Sequence, residues 1–167
     1  AFVKEVRNRR SFAGQHRAER LRDFHDFHLT GMVEAQKRPL RRVLFSGSDP
    51  ARVAWLVRRL TGEEIEVGRL TQPWTTPRAT SFYGGAAARR SFPAGTYVVD
   101  LAQPQARLAT TMLEPRAVFD SGFVRRQTAA YQRNKRRGEE SDREVYEFYD
   151  VTAWSLPFTL GLDAWWT

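Results

Sequence analysis

The chain has 167 residues, of which 41% are hydrophobic and 28% charged; that is the balance of a globular domain able to bury a core, and it excludes a disordered tail. Cysteine is absent, which excludes disulfides, thiolate zinc sites and a cysteine nucleophile. The formal net charge is +8, no run of about 18 apolar residues exists to span a bilayer, and Ala1–Arg10 is too charged to be a signal peptide.

The first expected element is a long amphipathic helix from about Ala13 to Gln36. Leu21, Phe24, Phe27, Met32 and Val33 recur there at helical intervals, with Arg17, Arg20, Arg22, Asp23 and Asp26 between them. Pro39 stops it, and Arg42–Ser46 reads as a short buried strand. Asp49-Pro50 is a helix start: the carboxylate accepts an orphan backbone N–H, and Pro at the first helical position sacrifices no hydrogen bond. Val53, Leu56, Val57 and Leu60 form the stripe to be buried, and Gly62 is the stop. Ile65–Leu70 alternates like a second strand, so residues 42–70 are expected to form a βαβ unit with a right-handed crossover.

Thr71–Arg90 holds Pro73, Pro77 and the pair Gly84-Gly85 without a sustained period, and is expected to be an exposed loop. Phe92-Pro93-Ala94-Gly95 is a turn, and Thr96–Leu101, rich in β-branched and aromatic residues, is the clearest strand of the chain. Helices are expected over Gln105–Leu113 and Phe123–Arg136. Val145–Leu162 is apolar and aromatic, interrupted by Pro157 and Gly161, as suits a segment folded back onto the domain. The pattern predicts an α/β fold: a small, mostly parallel sheet flanked by helices, flavodoxin-like, preceded by a long N-terminal helix. Residues 1–38 read as a linker helix at the end of a preceding domain, and 39–167 as the α/β domain.

The positive charge is local. Residues 116–137 hold 7 Lys and Arg against 1 acidic residue, and residues 138–167 hold 1 against 7, so adjoining blocks of opposite sign can neutralise each other. The run Arg133–Arg137 is read as a solvated helix end near Glu139, Glu140 and Asp142. The competing reading is a module binding nucleic acid or another polyanion through Arg125, Arg126, Arg133, Lys135, Arg136 and Arg137. Nucleic acid is the disfavoured partner.

His16-Arg17-Ala18-Glu19 matches His-x-x-Glu, a spacing that can offer zinc one imidazole and one carboxylate. The remaining histidines, His25 and His28, lie on the same helix, so no distant third ligand is available, and packing is the expected role of that pair. Ser46-Gly47-Ser48-Asp49 has too few glycines for a P-loop or dinucleotide fingerprint and reads as an ordinary helix cap. Trp55 lies beside a helical stripe, and Trp154, Trp165 and Trp166 fall in the apolar tail, where they are expected to cover the core or to meet a missing neighbour.

Three phrases carry a family resemblance: Phe92-Pro93-Ala94-Gly95-Thr96-Tyr97-Val98-Val99-Asp100-Leu101-Ala102-Gln103-Pro104, then Leu113-Glu114-Pro115, then Tyr149-Asp150-Val151-Thr152-Ala153-Trp154-Ser155-Leu156-Pro157. In this order they resemble the C-terminal region of bacterial M14-type zinc carboxypeptidase-like proteins. The resemblance implies an α/β domain likened to class I glutamine amidotransferases without their cysteine, following a peptidase domain in the same polypeptide. It implies zinc in the parent protein and none in this chain, and a secreted or periplasmic location. The family's His-x-x-Glu lies upstream of the matched region, so the motif is not transferred to His16–Glu19. Glu5, in Val3-Lys4-Glu5-Val6-Arg7, is the one residue the resemblance offers as a remnant catalytic group, a general base that would activate zinc-bound water. The expectation is therefore a non-catalytic accessory domain that supports or caps a peptidase domain hydrolysing C-terminal peptide bonds.

Overall fold

The computed structural model describes residues 14–116, 120–136 and 155–167. Helix α1 spans Arg17–Lys37 and ends where Pro39 forbids continuation. Strand β1 (Arg42–Ser46) follows, then helix α2 (Pro50–Gly62), capped as its sequence requires: the Asp49 carboxylate accepts from the backbone N–H of Ala51 at 2.9 Å and of Arg52 at 3.3 Å. Strands β2 (Gly68–Arg69), β3 (Trp74–Ser81), β4 (Ala88–Phe92) and β5 (Tyr97–Asp100) lead to helices α3 (Ala106–Leu113) and α4 (Ser121–Arg136). The short helix α5 (Leu156–Thr159) and strand β6 (Asp163–Trp166) complete the described elements.

The strands form one six-stranded sheet in the order β2-β5-β1-β6-β3-β4, and every pairing in it is antiparallel. This overturns the expected mostly parallel, flavodoxin-like or glutamine amidotransferase-like sheet. The supposed βαβ unit fails because both edges of β1 are taken from far along the chain. Leu44 stands opposite Val98 on one side and Trp165 on the other, in antiparallel register. The segment after α2 supplies only the two residues of β2, which join β5 at the edge of the sheet. Ile65 is still buried, but as a plug in the core and not as part of a strand.

Alternation along β1 sends Val43 and Phe45 to one face and Leu44 to the other, and all three are fully buried. On the first face they meet Leu56 and Leu60 of α2, Ala109 and Leu113 of α3, and Leu162 and Ala164 near β6. Among the described residues no helix covers the opposite face; Leu44 packs there with Ala79, Trp74, Phe92 and Trp165. The β3–β4 hairpin supplies that cover. Trp74 and Phe92 are a cross-strand pair whose rings stack 6.1 Å apart, and Arg90 lays its guanidinium 3.6 Å from the centre of a Trp165 ring.

The hairpin occupies the stretch 71–90 that reads as loop. Its period is broken by a bulge, since Thr76 pairs with Arg90 but Ala79 with Ala88, leaving one extra residue on β3. Pro77 sits in that bulge, where its missing N–H leaves no ladder bond unmade. Gly84 and Gly85, both at positive φ, lie in the connection. Of the two roles expected for the tail tryptophans, covering the core is the one seen: Trp165 and Trp166 belong to β6, an interior strand of the sheet, and pack against the buried clusters. Residues 145–154 of the expected folded-back segment lie outside the described residues.

Candidate functional site

A cleft of about 1020 Å³ opens on the helix-covered side of the sheet. One wall is the chain after α1, with Arg38, Pro39 and Leu40; another is the end of β3, with Thr80 and Ser81, and the adjoining Phe82. The third is α3 and its exit, through Thr110, Thr111 and Glu114 to Arg116, and Trp166 contributes from β6. Apolar and charged groups are thus interleaved, and the volume sits at the upper end of the range usual for small-molecule sites, about 300–1000 Å³.

The charges of the cleft differ in how they are held. Arg107 is turned to α1: it donates to the carbonyl of Phe27, reaches Thr30 Oγ1 at 3.2 Å and Glu34 Oε2 at 3.4 Å, and lies over the Phe27 ring. The side chains of Arg38 and Arg116 make no hydrogen bond or ion pair among the described residues. Burial pushes the Glu114 carboxyl above the ordinary carboxylate range, and the field of Arg38 opposes this in part. Glu114 follows α3 directly, and its N–H closes that helix on Thr110 O at 2.8 Å.

Helix α1 carries the second notable surface. It packs on α3 through its small residues Gly31 and Ala35, both buried. The apolar stripe of this amphipathic helix points outward, with Leu21, Phe24 and Phe27 exposed to 57%, 66% and 53%. A Cβ on Gly31 would come within 3.1 Å of the Arg107 side chain, so the close crossing that seats α1 on α3 selects a residue without one. His28 holds the same junction: its Nδ1 lies 2.8 Å from Pro104 O, and its ring meets those of Phe24 and Phe27 edge-on. The packing role expected of His28 is present. His25 has none, being exposed beside Asp26; Trp55 is likewise 45% exposed.

His16 and Glu19 do approach one another, with Nδ1 2.9 Å from Oε2, but the carboxylate also pairs with Arg20 at 2.9 Å. These contacts lower the pKa of Glu19, the His16 hydrogen bond most. Among the described residues no three His, Asp or Glu side chains come together as metal ligands. Glu5 and Arg137 lie outside the described residues. Arg125, Arg126, Arg133, Lys135 and Arg136 are all exposed on α4. At 3.6 residues per turn the four arginines fall within an arc of about 100°, and Lys135 lies off it. The N–H of Phe123 donates to the Asp120 carboxylate at 2.8 Å, capping that helix.

Of the residues quoted for the family resemblance, Glu114 and Pro115 line the cleft, and Asp100 and Gln103 tie strands together. Gln103 is buried, and its amide is used at both ends: Oε1 accepts from Glu66 N at 2.6 Å, and Nε2 donates to Asp100 O at 2.6 Å and Glu66 O at 3.3 Å. Asp100 takes Arg41 at 3.0 Å and Arg42 at 3.3 Å, and its carboxylate also accepts from Ala102 N. No helix among the described residues is long and apolar enough to cross a membrane. Comparison with protein-family models, with curated proteins and with solved structures found no match to this chain.

Proposed function

We propose that this chain is a non-catalytic accessory domain that packs against a preceding domain of the same polypeptide, in a protein resembling a zinc metallocarboxypeptidase. The observation that carries the reading is the exposed apolar stripe of α1. Leu21, Phe24 and Phe27 lie on the first half of that helix, toward the N-terminal side, while its second half is seated on α3 through Gly31 and Ala35. Three large apolar side chains at helical spacing on a surface otherwise rich in charge mark an interaction face, and a domain attached upstream of α1 is the neighbour best placed to cover it. Zinc and peptide-bond hydrolysis belong, in this reading, to that preceding domain.

Two measurements test it. Metal analysis and a carboxypeptidase assay on this chain are both expected to be blank; stoichiometric zinc with activity overturns the reading. Amide exchange over Leu21–Phe27 is expected to slow when the chain is expressed with its upstream polypeptide, and the protection to be lost in L21S/F24S. Equal exchange with and without the upstream part removes the proposed interface.

The four arginines on one arc of α4 favour a second reading, a module that binds a polyanion. Phosphate contacts release counterions, so binding to duplex DNA or heparin that persists near physiological ionic strength and weakens steeply with added salt would support it.

A further inference from the structure

We propose that the cleft beneath Arg38 and Arg116 binds a small organic monoanion, its charged head at those two guanidinium groups and its apolar body on Leu40, Phe82 and Trp166. This site is independent of the interface on α1. Its ligand class follows from the difference between the three arginines that line it. Arg107 makes three hydrogen bonds to α1 and serves as wall, whereas the planar donor forks of Arg38 and Arg116 have no acceptor among the described residues. A guanidinium lining a cleft with apolar walls is suited to a carboxylate or sulfonate, which it can engage through two parallel hydrogen bonds.

Among the described residues that line the cleft, Glu114 is the one carboxyl, and it sets the charge of the guest. Glu114 faces Arg38 at the end of α1, and Arg107 and Arg116 on and after α3, while Thr80, Ser81 and Trp166 on the strand side do not titrate. Two uncommitted cations against one carboxylate leave room for a single negative charge, and a polyphosphate would be repelled by Glu114 unless that group were protonated. Burial already favours its neutral form, so an anion that stays ionised is expected to bind more tightly as pH falls. The apolar lining selects against a bare inorganic ion.

Phenylbutyrate is the probe, with phenylbutanol, phenylbutanesulfonate and inorganic phosphate beside it, titrated into the intact chain and followed by amide NMR shifts and calorimetry. Phenylbutyrate is expected to shift the amides of Thr80–Phe82 and Thr110–Glu114 and to bind roughly tenfold more weakly to R38Q/R116Q. The sulfonate is expected to bind more tightly at acid than at neutral pH, and E114Q to bind it tightly at both. Equal binding of phenylbutanol would make the cleft a purely apolar site. Equal binding of phosphate would make it an inorganic-anion site; either result, or shifts mapping elsewhere, overturns the proposal. Should R38Q/R116Q fail to fold, the ligand series on the unsubstituted chain and E114Q still decide.

Discussion

Arg107 lies over Phe27, its guanidinium carbon 4.4 Å from the ring centre, and donates to the carbonyl of the same residue. One side chain of α3 thus grips both the ring and the backbone of α1, and with Thr30 and Glu34 it spans two turns of that helix. R107A is expected to lose about 1–2 kcal/mol by urea denaturation, combining a partly exposed cation–π contact with lost hydrogen bonds. Amide exchange is expected to speed up on α1 more than on the sheet. Uniform acceleration across the chain would show that the contact is not a local clasp.

Gln103 joins the end of β5 to the segment before β2 through three hydrogen bonds. Leucine fills a similar volume but leaves Glu66 N and Asp100 O to find other partners. Q103L is expected to cost about 1–3 kcal/mol and to loosen edge strand β2 first. Stability matched to that of the parent chain would mean that water replaces the amide without loss.

Glu114 provides the pH signature. Its folded pKa is raised, so between the ordinary carboxylate value and the raised one the folded state holds more proton than the unfolded state, and stability falls as pH rises through that interval. The cost is fully present above the raised pKa and relieved as pH drops below it. E114Q is therefore expected to be more stable than the parent at neutral pH, with the advantage shrinking on acidification. Thermal midpoints of both proteins across the acid range measure it, and a difference independent of pH would assign the effect to shape alone.

Asp49 carries the start of α2 with two backbone hydrogen bonds and an ion pair to Arg52 at 3.2 Å. D49A is expected to cost about 1 kcal/mol, with most of it recovered by D49N or D49S. Recovery by neither would shift the weight to the ion pair.

Local patterns were legible in proportion to how local their causes are. The stripe of α2, its Asp49-Pro50 start and the β-branched run of β5 are set by neighbours a few residues away, and they stand where the periodicity puts them. Strand direction is not of that kind. The order strand, helix, strand over residues 42–70 is compatible with a parallel unit, and only the pairing of β1 with β5 and β6, tens of residues downstream, decides against it. β3 was hidden by Pro77 in the bulge, although Gly84-Gly85 is itself a signal for a reversal between strands. β6 escaped notice because four residues, Asp163-Ala164-Trp165-Trp166, are too short to show a period. The α1 stripe is legible as apolar, but its exposure is not, since a pattern names a face without naming what lies against it. The cleft had no signature at all: Arg38, Ser81, Glu114 and Trp166 meet only after the sheet has formed.

The place of β6 also bears on synthesis. This strand follows the other described strands in the sequence yet separates β1 from β3 in the sheet, so the two halves cannot join until residues 163–166 have left the ribosome. During translation, which adds roughly 5–20 residues per second, β1 waits with one unpaired edge and a buried-to-be Leu44, as does the end of β3. Slow codons between those of β5 and β6 would lengthen the exposure of both edges.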